Sequence, residues 1–214
     1  MGGVMHASIN NPHFLLRRLH SLFGLVPVGG FLTFHLWENS KSRFGAVHYN
    51  EQVVGWLQGF NYLVLIEIFV IALPLLFHAA YGLQILYSGS REWNRFPWLH
   101  HHLYFLQRLS GVAILLFLLF HVGWTRLWGI FEPSIATDLY GHMRSLLSQP
   151  WVFAFYLAGL LLSVFHLSYG LWTMAISWGL TTSVEAQRTW FYLCCGLFLL
   201  LGAMGLHGML GFVQ

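Results

Sequence analysis

Charge is what this chain has least of. Lysine, arginine, aspartate and glutamate make up 8% of its 214 residues, against roughly 25% in a typical soluble domain. That deficit excludes an ordinary soluble globule and makes a polytopic membrane protein the expected class. Cysteine is nearly absent. Cys194 and Cys195 stand side by side in an apolar run, forming neither a disulfide framework nor a CxxC, so an iron–sulfur cluster held by this chain is excluded. The net charge of +3 is small and no basic cluster is present, so nucleic acid is not an expected partner. No small-residue cleavage site follows the first apolar run and Arg17-Arg18 opens no twin-arginine pattern, so no cleavable leader is expected.

What the chain has instead is apolar length. Hydrophobic residues make up 57% and aromatics 18%. Five runs can each cross a hydrocarbon core of about 30 Å at 1.5 Å per residue. They cover approximately 19–37, 62–87, 104–128, 151–178 and 190–212, several with Trp or Tyr at their edges as membrane interfaces prefer. The expected fold is an all-α membrane protein: one integral-membrane domain over 1–214, with four spans in a bundle and a fifth beside it. With the N-terminus inside, the inner segments hold Arg17, Arg18, Arg91, Arg95, Arg108 and Arg188, and the outer ones Lys41, Arg43, Arg126 and Arg144. This basic bias favours a cytoplasmic N-terminus and puts Gln214 outside.

Thirteen histidines are the anomaly. Four lie well inside successive spans: His35, His78, His121 and His166. An ionisable group at such depth is costly and points to function. A single one would be explained by a hydrogen bond to a neighbouring helix; one on each of four spans is not. His78 and His166 lie about 23 Å below the outer boundary, and His35 and His121 about 20–25 Å above the inner one. They sort into an inner pair, His78 with His166, and an outer pair, His35 with His121, roughly 15 Å apart in depth. Two imidazoles at one depth on two helices are what a six-coordinate b-type haem needs, since the porphyrin supplies the other four nitrogens. Two such pairs form an electron path across a bilayer. The tract His100-His101-His102 has no acidic or thiol partner nearby and reads as a solvated loop or partner face.

The chain also repeats itself. His78-Ala-Ala-Tyr-Gly-Leu83 matches His166-Leu-Ser-Tyr-Gly-Leu171, and Phe34-His35-Leu36 matches Phe120-His121-Val122. Arg18, Leu19 and Gly24 precede His35 as Arg108, Leu109 and Gly111 precede His121, so spans one and two look like a diverged copy of spans three and four. The glycines would let a flat macrocycle or a neighbouring helix come close.

These residues resemble a known family. Arg17-Arg18-Leu19-His20-Ser21-Leu22, Pro27-Val28-Gly29, Phe34-His35-Leu36, Glu67-Ile68-Phe69, Phe77-His78-Ala79, Gln107-Arg108-Leu109-Ser110-Gly111, His121-Val122 and Phe165-His166 are similar to the dihaem cytochrome b membrane anchor of succinate dehydrogenases and fumarate reductases, the single-anchor, two-haem type of succinate:quinone oxidoreductase. The resemblance implies two b haems, the outer held by His35 and His121 and the inner by His78 and His166. It also implies a quinone substrate, with menaquinone expected, and a bacterial cytoplasmic membrane. The implied partners are a flavoprotein (FAD) subunit and an iron–sulfur subunit. With no Rossmann glycine pattern here, succinate chemistry belongs to those partners. The alternatives are a haem b subunit of another quinone-linked membrane oxidoreductase and a histidine-relay transporter.

Glu67 lies eleven residues before His78. In a regular α-helix it returns to within about 20° of the same face, so it is expected to point into the bundle as a proton-exchanging carboxylate beside quinone or haem. Glu38, Glu51 and Glu132 are expected in the outer connections. Arg17, Arg18, His20, Ser21 and Arg108 fall at the inner boundary, where they could bind propionates or quinone. For the arginines, topology and snorkelling serve equally well as an explanation. The fifth span, with Cys194-Cys195, is expected to pack against the bundle or lipid.

Overall fold

The computed structural model describes residues 12–88 and 99–214. Arg91 and Arg95, and the side chains of His100 and His101, lie outside the described residues. Helix dominates, and among the described residues there is no strand. Five helices are long and apolar enough to cross a membrane: His13–Phe44, Leu63–Ser88, His102–Phe131, Pro150–Ser177 and Val184–Phe212. The first packs on the second, the second on the third and the third on the fourth, while the fifth lies against the fourth and the far end of the first. Leu116, Leu119, Leu199 and Leu200 are more than 60% exposed, as lipid-facing side chains should be.

Helix ends follow local chemistry. Pro150 starts the fourth span at its first turn, where no intrahelical partner is lost. That span ends at Gly179, whose φ of +73° suits glycine. Leu180 N–H donates back to Ala175 O and Gly179 N–H to Ile176 O, which closes a Schellman motif. Ser183 then caps the fifth span by accepting from Ala186 N–H at 3.1 Å.

The first three spans are not regular. Each contains a π-helical turn, at Gly24–Gly29, Glu67–Ala72 and Gly123–Leu127, whereas the fourth and fifth are uninterrupted α-helix. Pro27 sits in the first of these turns, where its missing N–H breaks no regular α-helical bond.

The connections 45–62 and 132–149 are not open loops. They fold into short helices that close one end of the bundle, and much of the core lies there: Tyr49, Val53, Tyr140, Met143, Leu147 and Phe212 are buried together. Asn50 ties the two connections, donating to Asp138 Oδ1 at 2.7 Å and accepting from Tyr140 N–H. This is the capped end; the opposite, open end carries His13, Ser88, His102 and Ser177.

The fifth span reaches the capped end through glycines at every third position: Gly202, Gly205, Gly208 and Gly211. A β-carbon on Gly208 would lie 2.8 Å from Asn39 O, and one on Gly211 would meet Ser42 Oγ. Ser42, fully buried, donates to Gly208 O at 2.7 Å.

Candidate functional site

The four spans bring the histidines together in two pairs. His78 and His166 have ring centroids 6.1 Å apart with planes at 88°; His35 and His121 are 5.7 Å apart at 75°. The first pair is level with Gly24 and Gly111, whose added β-carbons would meet the rings of His78 and His166 respectively. His35 lies eleven residues beyond Gly24 and His121 ten beyond Gly111, so the pairs are about 15 Å apart along the helices at 1.5 Å per residue. The first span therefore carries one residue more than the third between matching points. Its π turn absorbs it, because an i→i+5 turn encloses one residue more than an α turn.

The open-end pair sits in a seat built twice. His78 Nδ1 lies 2.9 Å from His20 O, and His166 Nδ1 lies 3.1 Å from Gln107 O. In return the His20 side chain packs 3.2 Å from a β-carbon position on Gly82, and Gln107 Nε2 lies 3.0 Å from that of Gly170. His20 and Gln107 are thus the equivalent residues, each one turn before its glycine. Arg18 and Arg108, matched by their Arg-Leu dipeptides, are not equivalent. A carbonyl oxygen can only accept, so each Nδ1 carries the proton and each Nε2 is left with a lone pair for a metal. His20 also stacks on His78, centroids 4.1 Å apart and planes within 4°.

At the other level, His121 Nδ1 lies 3.3 Å from Tyr156 OH. Asn39 donates to His35 O at 2.7 Å and accepts from Tyr49 OH at 2.9 Å.

These residues fit haem. Two imidazoles bound on opposite sides of one metal, with metal–nitrogen bonds of about 2.0 Å, have ring centres roughly 6 Å apart. Among the described residues no group of three or more His, Cys, Asp or Glu side chains could hold a metal ion, so a two-imidazole site suits a metal that brings its own equatorial ligands. Towards the open end, His20 Nδ1 and Arg108 Nε are buried without partners and could receive an anionic edge such as a propionate.

The other open-end candidates are engaged within the protein. Arg18 lies over the rings of Phe14 and Trp178, each at 4.9 Å. Ser21 donates to Arg18 O and accepts from Trp178 Nε1. Arg108 donates through Nη2 to Ile85 O and Leu86 O, satisfying carbonyls at the end of the second span. Arg17 is exposed.

Two carboxylates stand differently from the expectation. Glu67 does not share the face of His78, because the π turn Glu67–Ala72 lies between them and shifts the phase by about 100°. It instead meets Arg126 of the third span bidentately, at 2.7–3.2 Å, with its side chain 32% exposed. Glu38 is not in a connection. It belongs to the first span, is 3% exposed, pairs with Lys41 at 2.9 Å and keeps Oε2 buried without a partner. Sequence reasoning also missed Gln107 and Ser110 as partners of His166, and Tyr156 as partner of His121. The i, i+4 spacing His20–Gly24 and Gln107–Gly111 was the signal available for Gln107.

Four apolar helices holding two imidazole pairs at two depths, with a fifth helix beside them, define a multi-pass membrane protein with the geometry of a haem-binding bundle. The chain belongs to the succinate dehydrogenase/fumarate reductase transmembrane subunit family, whose description matches residues 91–205. It is 35% identical over 203 residues, 95% of this chain and 98% of the relative, to the succinate dehydrogenase cytochrome b558 subunit of Bacillus subtilis (strain 168). No solved structure matches it significantly. The chain is thereby a succinate dehydrogenase-type cytochrome b membrane subunit.

Proposed function

We propose that this chain anchors an iron–sulfur and a flavoprotein subunit to the bacterial cytoplasmic membrane, N-terminus inside, and lets them exchange electrons with a quinone, menaquinone by preference. His78 and His166 would hold one b-type haem near the open, cytoplasmic end, and His35 and His121 a second near the capped, outer end. Bound there, haem b supplies a one-electron ferric–ferrous couple. The observation that carries this reading is the backbone carbonyl at Nδ1 of both His78 and His166, 2.9 and 3.1 Å away; because a carbonyl can only accept, it puts the proton on Nδ1 and leaves Nε2 of each ready for iron. The protein's own groups do the rest. Apolar helices exclude water, and His20 Nδ1 and Arg108 Nε are free to meet a propionate. Glu67, gripped by Arg126, is the proposed proton-exchanging group for quinone, whose reduction takes two protons with two electrons.

Haem analysis and a reduced-minus-oxidised spectrum of the purified complex test this. Two haems b per chain are expected, and replacing His78 or His166 by Ala should remove only the open-end one. One haem or none in the intact complex overturns the two-haem assignment, and a colourless complex leaves a histidine relay.

A further inference from the structure

The two rings of the open-end pair are held alike by carbonyls and differently by what stands beside them. His20 O is the acceptor at His78 Nδ1, at 2.9 Å. His166 Nδ1 meets two oxygens, Gln107 O at 3.1 Å and Ser110 Oγ at 3.0 Å. Ser110 is 0% exposed, and its one proton goes to Gln107 O at 2.9 Å. A hydroxyl with its proton committed has only lone pairs to offer, so Ser110 accepts from His166 Nδ1–H. In the first span the corresponding position is Phe23, which packs edge-on against Phe77, centroids 5.3 Å apart, and offers no acceptor. The difference between the two ligands is thus written into the repeat itself.

We propose that Ser110 is a positioning residue for the open-end haem: its hydroxyl locks the His166 ring and, as a second acceptor at Nδ1–H, makes His166 the more electron-donating of the two axial ligands. This rests on the two-haem reading. Drawing the Nδ1 proton towards acceptors raises the basicity of the coordinating nitrogen, which favours ferric over ferrous iron. Removing the hydroxyl shifts the balance towards the reduced form. Gln107 O keeps the tautomer in place, so Ser110→Ala alters the ligand's basicity without abolishing ligation.

The test uses the complex with its native partners, carrying Ser110→Ala or Ser110→Thr. Optical redox titration and the low-spin ferric electron paramagnetic resonance signal are read alongside haem content. The capped-end haem serves as internal standard. In Ser110→Ala both haems are expected. The reduced-to-oxidised ratio of the open-end haem at a fixed ambient potential should rise about fivefold, the size of one neutral hydrogen bond. Its paramagnetic signal should shift while that of the capped-end haem stays put, and Ser110→Thr should restore both readouts. If Ser110→Ala drops the open-end haem altogether, retention with the native signal in Ser110→Thr supports the hydroxyl's role, and loss in both variants overturns it. Two haems with an unmoved potential and signal in Ser110→Ala also overturn it. Fewer than two haems in the unaltered complex would instead defeat the two-haem reading on which it stands.

Discussion

A β-carbon added at Gly24 would clash with the imidazole of His78 at Cε1 and Nδ1, whereas one added at Gly111 would stop 3.1 Å from His166 Cε1. Overpacking of this kind costs about 1–3 kcal/mol, while exchanging glycine for alanine inside a helix returns about 1 kcal/mol. Gly24→Ala should therefore displace His78 and lose the open-end haem, and Gly111→Ala should keep it. Gly30→Ala, with nothing within 4 Å, should leave haem content unchanged and slightly raise the melting temperature. Haem per chain and a thermal melt in detergent read all three. Glu67→Gln is a separate case, since it removes no ligand and leaves Arg126, itself 52% exposed, open to other partners. Both haems should remain, as should succinate oxidation with a soluble acceptor, while quinone turnover should fall about a hundredfold, within the range of a lost proton-transfer group. Normal quinone turnover would reduce Glu67 to one half of a structural ion pair.

Among the elements, the fifth span offers the sharpest contrast between neighbouring positions. Gly208 faces the backbone of Asn39, which cannot step aside, whereas a β-carbon on Gly202 would stand 4.0 Å from the flexible end of Leu161. Gly208→Ala should push the fifth span off the first and cost about 1–3 kcal/mol; Gly202→Ala should not, and thermal unfolding separates them. The short helix Leu139–Leu147 in the cap begins on Asp138, whose carboxylate accepts from Gly141 N–H at 2.9 Å and from Asn50. Those bonds, the backbone one first, hold its pKa below the ordinary 3.8. The carboxylate's contribution is then present above pH 3.8 and drains away as the pH falls below it through the lower, folded value. Asp138→Ala should cost about 1 kcal/mol at neutral pH, the worth of a helix N-cap, and the two proteins' melting temperatures should converge in acid. A constant gap down to pH 2 would mean that the cap does not depend on charge.

For the molecule as a whole, the arginine bias predicts that reporters fused after Gln214 report the outside; a cytoplasmic readout there would reverse both ends of the proposed electron path. The five spans and the two histidine pairs could be read beforehand because both follow from length and regular rise: long apolar runs, and imidazoles at matched depths. Three things escaped. A π turn has no residue signature, so the phase of Glu67 could not be computed from α-helical spacing. The seats of His78 and His166 are made by carbonyls, which every residue carries alike. The cap mixes buried Tyr49, Val53 and Tyr140 with polar neighbours in pieces too short to show a period, and Glu38 looked like part of that connection although it is buried in the first span. The repeat carries one more consequence. His35 and His78 belong to the first helical hairpin, His121 and His166 to the second, so each hairpin supplies half of both pairs and neither supplies a whole one. On the two-haem reading, a nascent chain stays colourless until its third span has entered the bilayer and brings His121 to His35, and it can take its second haem only when the fourth span brings His166 to His78, so colour would arrive in two steps that follow the order of insertion.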